Sequence, residues 1–318
     1  MYSCTNSSGD YPVIGASKLP KTEVRIKRYG KALFELDKTR FQEELKAIQA
    51  VFPQFLNDDL NDSANISKLY NFVSDTQLIA LYHETIKVYP ELTKQEKSLA
   101  GAFAYLKYYF PSFTAPQVYA YISGIQFDAP VMTADNSLVI GLDCYLGENQ
   151  PRYKSAGIPA YQMRCMTPSH IEADVVKAIY AVYFERQFTV QTILDEMVHT
   201  GIRYAFIKAM LPDMPDHILL GYSEEQYRWI RKNEASVWRS IVGEELLYKG
   251  DQKLFRKFFG DGPFTQEFST EAPPRIGDYI GWQIVRQYAK QKGLASPQDL
   301  LALNDAQGVL AQSRYKPK

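Results

Sequence analysis

Residues 189–213 read TVQTILDEMVHTGIRYAFIKAMLPD, and this stretch carries a long apolar stripe. Its apolar residues recur at steps of three and four, the spacing that places side chains on one face of an α-helix. These residues are Val190, Ile193, Leu194, Met197, Val198, Gly201, Ile202, Ala205 and Ala209. The sequence therefore predicts a long helix whose apolar face lies in the core, and Pro212 and Pro215 predict where it ends.

The opposite face of this predicted helix carries ionisable side chains. Asp195, Glu196, His199 and Arg203 fall on it, and Glu196 and His199 lie one helical turn apart. Two side chains at that spacing can share a ligand. The same spacing is also typical of a solvated surface with salt-linked neighbours, and a single Glu-x-x-His is common by chance. Both interpretations, a solvated face and a ligand cleft, remain open.

Composition excludes several classes of protein. The 318 residues are 46% hydrophobic and carry 36 basic and 36 acidic side chains, so no net charge attracts nucleic acid. Three cysteines, Cys4, Cys144 and Cys165, are too few for a disulfide scaffold of this size. No stretch reaches the roughly 18 apolar residues that a membrane-spanning helix requires. We therefore expect a globular protein that binds no nucleic acid.

The N-terminus resembles the end of a bacterial lipoprotein signal. Cys4 follows Met-Tyr-Ser and precedes the polar run TNSSGDYP, a pattern that fits acylation of the cysteine and a tether behind it. A cysteine in an irregular terminus is the alternative. We expect residues 1–20 to be a lipoprotein tether, residues 21–318 to be a single globular domain, and the membrane association to depend on acylated Cys4.

Strand patterns are confined to the first half of the chain. Residues 23–28 alternate apolar and charged side chains, and residues 33–36 are predicted to pair with them as a hairpin. Residues 117–125 and 137–142 predict a second hairpin. Helical patterns dominate elsewhere, without the β-α alternation that builds a parallel sheet. We therefore predict an α+β fold, mostly α-helical, with a small antiparallel sheet.

Two further stretches suggest binding surfaces or close packing. The irregular segment 143–168 is rich in tyrosine and proline and is predicted to be a binding-type surface loop, with glycan binding through its tyrosines as one hypothesis. Gly277 and Gly281 lie four residues apart inside a predicted helix, where each costs about 1 kcal/mol relative to alanine. A crossing helix or a ligand must therefore approach the backbone there.

Several catalytic motifs are absent from the sequence. It contains no Gly-x-Gly-x-x-Gly after a strand, no GxxxxGK[ST] loop and no GxSxG elbow. His83-Glu84 begins half of a zinc-binding HExxH motif, but Lys87 occupies the position of the second histidine. We therefore predict no cofactor and no metal site.

The order of segments resembles the gliding motility-associated lipoprotein GldB family of Bacteroidetes over nearly the whole chain after the tether. The stretches that carry this resemblance are KYYFP at 107–111, IGLDCYLG at 140–147, residues 211–223, GWQIVR at 281–286 and SRYKP at 313–317. The resemblance implies an outer-membrane lipoprotein of a Gram-negative cell envelope that faces the periplasm.

The GldB family is itself similar to predicted zincin-type peptidases, which implies a degenerate zincin-like helical domain here. In such enzymes a Glu-Gly pair on the long helix supplies the third zinc ligand, whereas this chain has Thr200-Gly201. The preceding helix begins His170-Ile-Glu-Ala-Asp and lacks HExxH. The departure favours a pseudoenzyme, a protein that keeps the enzyme's shape without its chemistry.

These observations lead to one expected function and one alternative. We expect a non-catalytic envelope lipoprotein that binds protein partners as a scaffold component of gliding machinery, linked to protein secretion. The alternative is a zinc-dependent peptidase or other hydrolase that uses Glu196, His199 and a carboxylate from elsewhere. The residues assigned to a candidate binding cleft are Glu196, His199, Thr200, Arg203, Gly277, Gly281 and Trp282.

Overall fold

A computed structural model describes residues 14–318. Cys4, the predicted acylation site, lies outside the described residues, as does most of the predicted tether. The chain forms two compact units, and each is described by itself. Residues 22–100 and 114–178 form one, the sheet unit. Residues 101–113 and 179–318, with residues 14–21, form the other, the helical unit.

The sheet unit contains four strands in the order β1-β2-β4-β3. The strands are β1 (Ile26–Arg28), β2 (Gln117–Tyr121), β3 (Val131–Ala134) and β4 (Ser137–Gly141). The β1-β2 and β2-β4 pairs are parallel, and only β3-β4 is antiparallel. The predicted antiparallel sheet is therefore wrong: the sheet is mixed, although the α+β class is confirmed.

Both predicted hairpins need correction. The chain turns into a helix directly after β1, at Tyr29, so residues 33–36 are helical or irregular and do not pair with residues 23–28. Strands β2 and β4, predicted to be hairpin partners, lie side by side in parallel. The hairpin instead joins β3 to β4. Every residue of β4, an inner strand between β2 and β3, is buried, and this left no alternation of apolar and polar residues from which its pairing could be predicted.

The α-helices of the described chain follow in order. They are α1 (Tyr29–Phe34), α2 (Phe41–Gln49), α3 (Ser63–Ser74), α4 (Thr76–Val88), α5 (Thr93–Tyr109), α6 (Pro151–Ser155), α7 (Ala160–Met163), α8 (Ile171–Ile179), α9 (Ile193–Met210), α10 (Asp216–Leu220), α11 (Glu224–Gly243), α12 (Gln252–Phe259), α13 (Ile276–Lys292), α14 (Pro297–Leu301) and α15 (Ala306–Ser313). Across residues 14–318, no helix combines the length and the apolar character needed to span a bilayer.

A buried carboxylate organises the loop after β2. Asp143, two residues beyond β4, accepts hydrogen bonds from the backbone N–H of Ser123 (2.8 Å) and of Ile125 (2.7 Å), and from the Ser123 hydroxyl (2.9 Å). Burial raises the pKa of Asp143, while the bonds from Ser123 and Ile125 lower it. These bonds hold Gly124 and Ile125 in the left-handed region, at φ 74° and 65°. This conformation is costly for a β-branched residue.

The segment 143–168 is more regular than predicted, because it contains helices α6 and α7. Its Tyr145 and Tyr153 rings are buried, and their hydroxyls donate to Asp174 Oδ2 (2.9 Å) and to the carbonyl of Asp143 (2.7 Å). Buried rings of this kind stabilise the core of the sheet unit. Neither ring is available to stack on a sugar, so these two side chains do not contribute to the hypothesised glycan binding.

The helical unit is built around the crossing of α9 and α13. Helix α9 begins at Ile193, where Thr192 and Asp195 form a reciprocal capping box. Its apolar face lies in the core as predicted, except that Val190 precedes the helix and is only half-buried. The four residues of the predicted polar face, Asp195, Glu196, His199 and Arg203, are partly exposed, whereas Thr200, Tyr204 and Lys208 are buried as well. Only a strip of α9 is therefore accessible to ligands.

Candidate functional site

Glu196, His199 and Arg203 share the accessible strip of α9, as the sequence predicted. His199 Nε2 lies 3.5 Å from Glu185 Oε1, and His199 Nδ1 lies 4.0 Å from Glu196 Oε2. The Phe188 ring stacks on the imidazole with centroids 5.4 Å apart and planes inclined by 13°. Glu185 and Phe188 follow a π-helical turn at Tyr180–Phe184, so this turn aims both side chains at α9.

A surface cleft with a volume of about 490 Å³ lies beside this strip, at Glu196. Its lining comes from the segment before α9, from the first turn of α9 and from α12 with its flanking residues. The lining residues are Val190, Gln191, Glu196, Gly250, Gln252, Phe255, Arg256, Phe259 and Gly260. Phe255 and Phe259 are half-buried and lie one turn apart on α12, with ring centroids 6.2 Å apart. The cleft therefore combines an aromatic surface with one carboxylate and one guanidinium group.

The two glycines of the predicted site act through packing. A Cβ atom at Gly281 would collide with the carbonyl of Met197 on α9, so α9 and α13 cross at backbone distance. A Cβ atom at Gly277 would collide with the ring of Phe259, so this glycine provides the space in which a cleft residue lies. The expected close approach is present at both positions, with a helix at Gly281 and an aromatic ring at Gly277.

Thr200 and Trp282, also assigned to the candidate cleft, lie in the core. The Thr200 hydroxyl donates to the Met197 carbonyl at 3.3 Å. Trp282 is fully buried and packs on Tyr204, with centroids 5.7 Å apart. Of the seven residues assigned to the candidate cleft, only Glu196 lines the observed one. Gly277 contributes indirectly, because it provides the space for the ring of Phe259.

Arg203 also belongs to a charge cluster around the buried carboxylate of Asp278. Its Nη2 lies 4.0 Å from Asp278 Oδ2, which also accepts a hydrogen bond from the Tyr204 hydroxyl at 3.2 Å. Arg275 Nε lies 3.9 Å from the same oxygen, and Arg275 Nη1 pairs with Asp261 at 2.7 Å. Burial raises the pKa of Asp278, although both guanidinium groups oppose the shift. The cluster lies at the beginning of α13, where both guanidinium groups approach the Asp278 carboxylate to within 4.0 Å.

The geometry also bears on the hydrolase alternative. The carboxylate from elsewhere that approaches His199 is Glu185. Within the part of the chain that the structure describes, however, no group of three or more His, Cys, Asp or Glu side chains could hold a metal ion. A catalytic zinc needs three protein ligands around an open position. The residues of this strip therefore do not fit such a site.

Sequence reasoning missed Phe255, Arg256 and Phe259, which form much of the cleft. The signal was present in the stretch QKLFRKFF, where aromatic residues four apart alternate with basic ones. This pattern indicates an amphipathic helix with one aromatic face. It gives no indication that the face lies beside Glu196, because that neighbour is distant in the sequence.

Comparison with known protein families gives a match over most of the chain. A sequence model described as gliding motility protein GldB matches residues 15–317. Neither the curated proteins nor the solved structures contain a significant match to the chain.

Proposed function

Because the chain belongs to the family of the gliding motility protein GldB, we propose that it is a lipid-anchored protein of the cell envelope that serves gliding motility by binding a protein partner. The observation that carries this proposal is the match to the family over residues 15–317. The lipid is carried by Cys4, and two or more acyl chains there anchor a protein stably, whereas one chain gives marginal binding.

The binding role is supported by the chemistry of the Glu196 cleft. Its surface offers aromatic rings and two charged groups, the combination that recognises a segment of another protein. Thr200, which occupies the position of the third zinc ligand in the zincin resemblance, has its hydroxyl bonded to the Met197 carbonyl. In this proposal the cleft binds a segment of a partner protein. The protein is thereby a component of the gliding machinery, with a link to the secretion of proteins across the envelope.

Complementation tests the proposal. Residues 4–318 are placed behind the lipoprotein signal of a gliding bacterium whose own family member has been deleted. We expect gliding to be restored by the wild-type chain and lost with Cys4→Ser, which also moves from the membrane to the soluble fraction. Cell velocity and fractionation are the measurements. Failure of the wild-type chain to restore gliding while it accumulates in the envelope contradicts the proposal.

A separate assay addresses catalysis. The purified chain is incubated with a mixture of unfolded proteins in the presence of zinc, and products are identified by mass spectrometry. We expect no cleavage by the wild-type chain. Cleavage that disappears in His199→Ala would replace the binding role with the hydrolase alternative.

A further inference from the structure

We infer that the Glu196 cleft binds a cationic side chain, lysine or arginine, presented by a basic segment of the partner protein. The inference rests on the binding role proposed above and gives the partner its chemistry. It follows from three features of the cleft: a partly exposed carboxylate without a hydrogen-bond donor among the described residues, an aromatic surface beside it and the unequal exposure of the two charged groups.

The carboxylate of Glu196 lacks donors within the described chain. Across residues 14–318, no N–H or O–H group lies within hydrogen-bonding distance of it, and its ion-pair contact is with His199 Nδ1 at 4.0 Å. Its side chain is only 25% exposed, so water reaches it in part. A carboxylate accepts about four hydrogen bonds when fully satisfied, and a partly desolvated one gains from every donor supplied. A ligand ammonium or guanidinium group supplies several donors together with the opposite charge.

The aromatic surface suits the rest of a basic side chain. Phe255 and Phe259 present their rings to the cleft, with Val190 on the segment before α9. Lysine and arginine have apolar stems that lie on apolar surfaces, and a cation near a ring face is attracted by the ring's quadrupole. Aromatic faces combined with a carboxylate therefore favour a cation over a neutral aliphatic side chain.

This surface is held in place before a ligand arrives. The Phe259 ring occupies the space beside Gly277 that a larger residue would fill. Helix α12 is fixed at its first turn by Asp251, whose carboxylate accepts a hydrogen bond from the N–H of Lys253 at 2.6 Å. A preformed pocket loses less conformational entropy on binding.

Arg256 carries the opposite charge in the same cleft and favours an acidic ligand. It is exposed, however, so solvent and salt screen its charge strongly. The Glu196 side chain is 25% exposed, so its charge is screened less. Glu196 therefore determines the sign of the ligand, and binding through Arg256 is the competing outcome of the test.

The test uses capped pentapeptides with a central lysine, norleucine or glutamate flanked by glycines, titrated into the full chain and followed by amide NMR shifts. Norleucine keeps the lysine stem without its charge. The variant Glu196→Gln removes the carboxylate at constant size. The variant Glu225→Gln is the matched control, because Glu225 is an exposed residue of α11 outside the cleft, paired with Arg228.

We expect the lysine peptide to shift amides of the cleft and to bind about tenfold or more tightly than the norleucine peptide. Glu196→Gln should lose that preference, and Glu225→Gln should keep it. Equal binding of lysine and norleucine, preferential binding of glutamate, absence of binding by all three peptides, or an unchanged preference in Glu196→Gln each overturns the inference. Gliding restored by the wild-type chain in the complementation assay would then still support the proposed function, so the two failures are distinguishable.

Discussion

The helical unit contains two carboxylates in opposite situations, Asp216 at the beginning of α10 and Glu196 in the first turn of α9. Asp216 lies 3.1 Å from Lys208 Nζ and 3.0 Å from Arg286 Nη1, and it accepts a hydrogen bond from the Tyr227 hydroxyl at 3.0 Å. Among residues 14–318, the one ion-pair contact of Glu196 is that with His199 Nδ1 at 4.0 Å. The charge of Asp216 is paired within the helical unit, and the charge of Glu196 is the one that we infer to meet an external partner.

The difference distinguishes a structural charge from a binding charge. Burial raises the pKa of Asp216, but the charges of Arg286 and Lys208 outweigh burial and hold that pKa below its ordinary value. The ionised form of Asp216 is thus part of the folded state. A group that stabilises the fold has its bonds complete before any ligand arrives, whereas a group that selects a ligand keeps its bonding capacity free.

Among the substitutions considered, Asp216→Asn is expected to lower the free energy of unfolding most. The variant removes the carboxylate that pairs with the buried ammonium of Lys208 and with the guanidinium of Arg286. Breaking a buried pair by removing one partner costs about 3 kcal/mol or more. Urea unfolding followed by circular dichroism measures the loss. A loss below about 1 kcal/mol would show that Asp216 is not the structural charge described here.

A smaller loss of stability is expected from a substitution at the crossing of α9 and α13, the helices that carry Lys208 and Arg286. Gly281→Ala should lower the free energy of unfolding by about 1–3 kcal/mol, because the added methyl group collides with the Met197 carbonyl. Gly101→Ala is the matched control in α5, where nothing lies within 4 Å of an added Cβ. It should stabilise by about 0.5–1 kcal/mol, because alanine favours a helix interior. Equal effects of the two variants would contradict the close crossing.

Lowering the pH should remove the contribution of Asp216 to the free energy of unfolding. A carboxylate whose pKa is lowered on folding stabilises the protein above its unfolded pKa of about 3.9, and this contribution is lost as pH falls through the lower folded pKa. Unfolding free energies measured from pH 6 downward in wild type and in Asp216→Asn test this. The difference between the two proteins should shrink below about pH 4. A constant difference over that range would contradict a depressed pKa.

The smallest change in the free energy of unfolding is expected for Glu196→Gln. Because this carboxylate accepts no hydrogen bond from the described residues, its replacement should change the free energy of unfolding by about 0.5 kcal/mol or less. The same urea unfolding experiment measures it. A loss as large as that of Asp216→Asn would make Glu196 a structural charge and would remove the distinction between the two sites.

Local features of the sequence predicted a large part of the helical unit. The stripe in residues 189–213 indicated α9, and Ser223-x-x-Gln226 indicated the beginning of α11, where the structure has the same capping box. The cost of glycine within a helix indicated the close approaches at Gly277 and Gly281. These features depend on residues a few positions apart, so the sequence displays them directly.

Pairings between distant residues were not predictable in this way. The pairing of β1 with β2 joins Ile26 to Val118, and the uniform burial of β4 removes the alternation that would have indicated its neighbours. The side chains around Asp216 come from separate parts of the chain. The aromatic surface beside Glu196 is likewise distant from Glu196 in the sequence. Local periodicity determines which face of an element is apolar, but it does not determine which other element covers that face.

The sequence by itself therefore determined the class of fold, the helix at the centre of the helical unit and the family. The tertiary structure decided which of its charges are satisfied and which are not. Glu196 and Asp216 are both acidic residues in the first turn of a helix, and no local pattern separates them. They differ because packing places Arg286 and Lys208 around one and a cleft beside the other, and only the completed set of distant contacts determines how exposed and how well paired each carboxylate is.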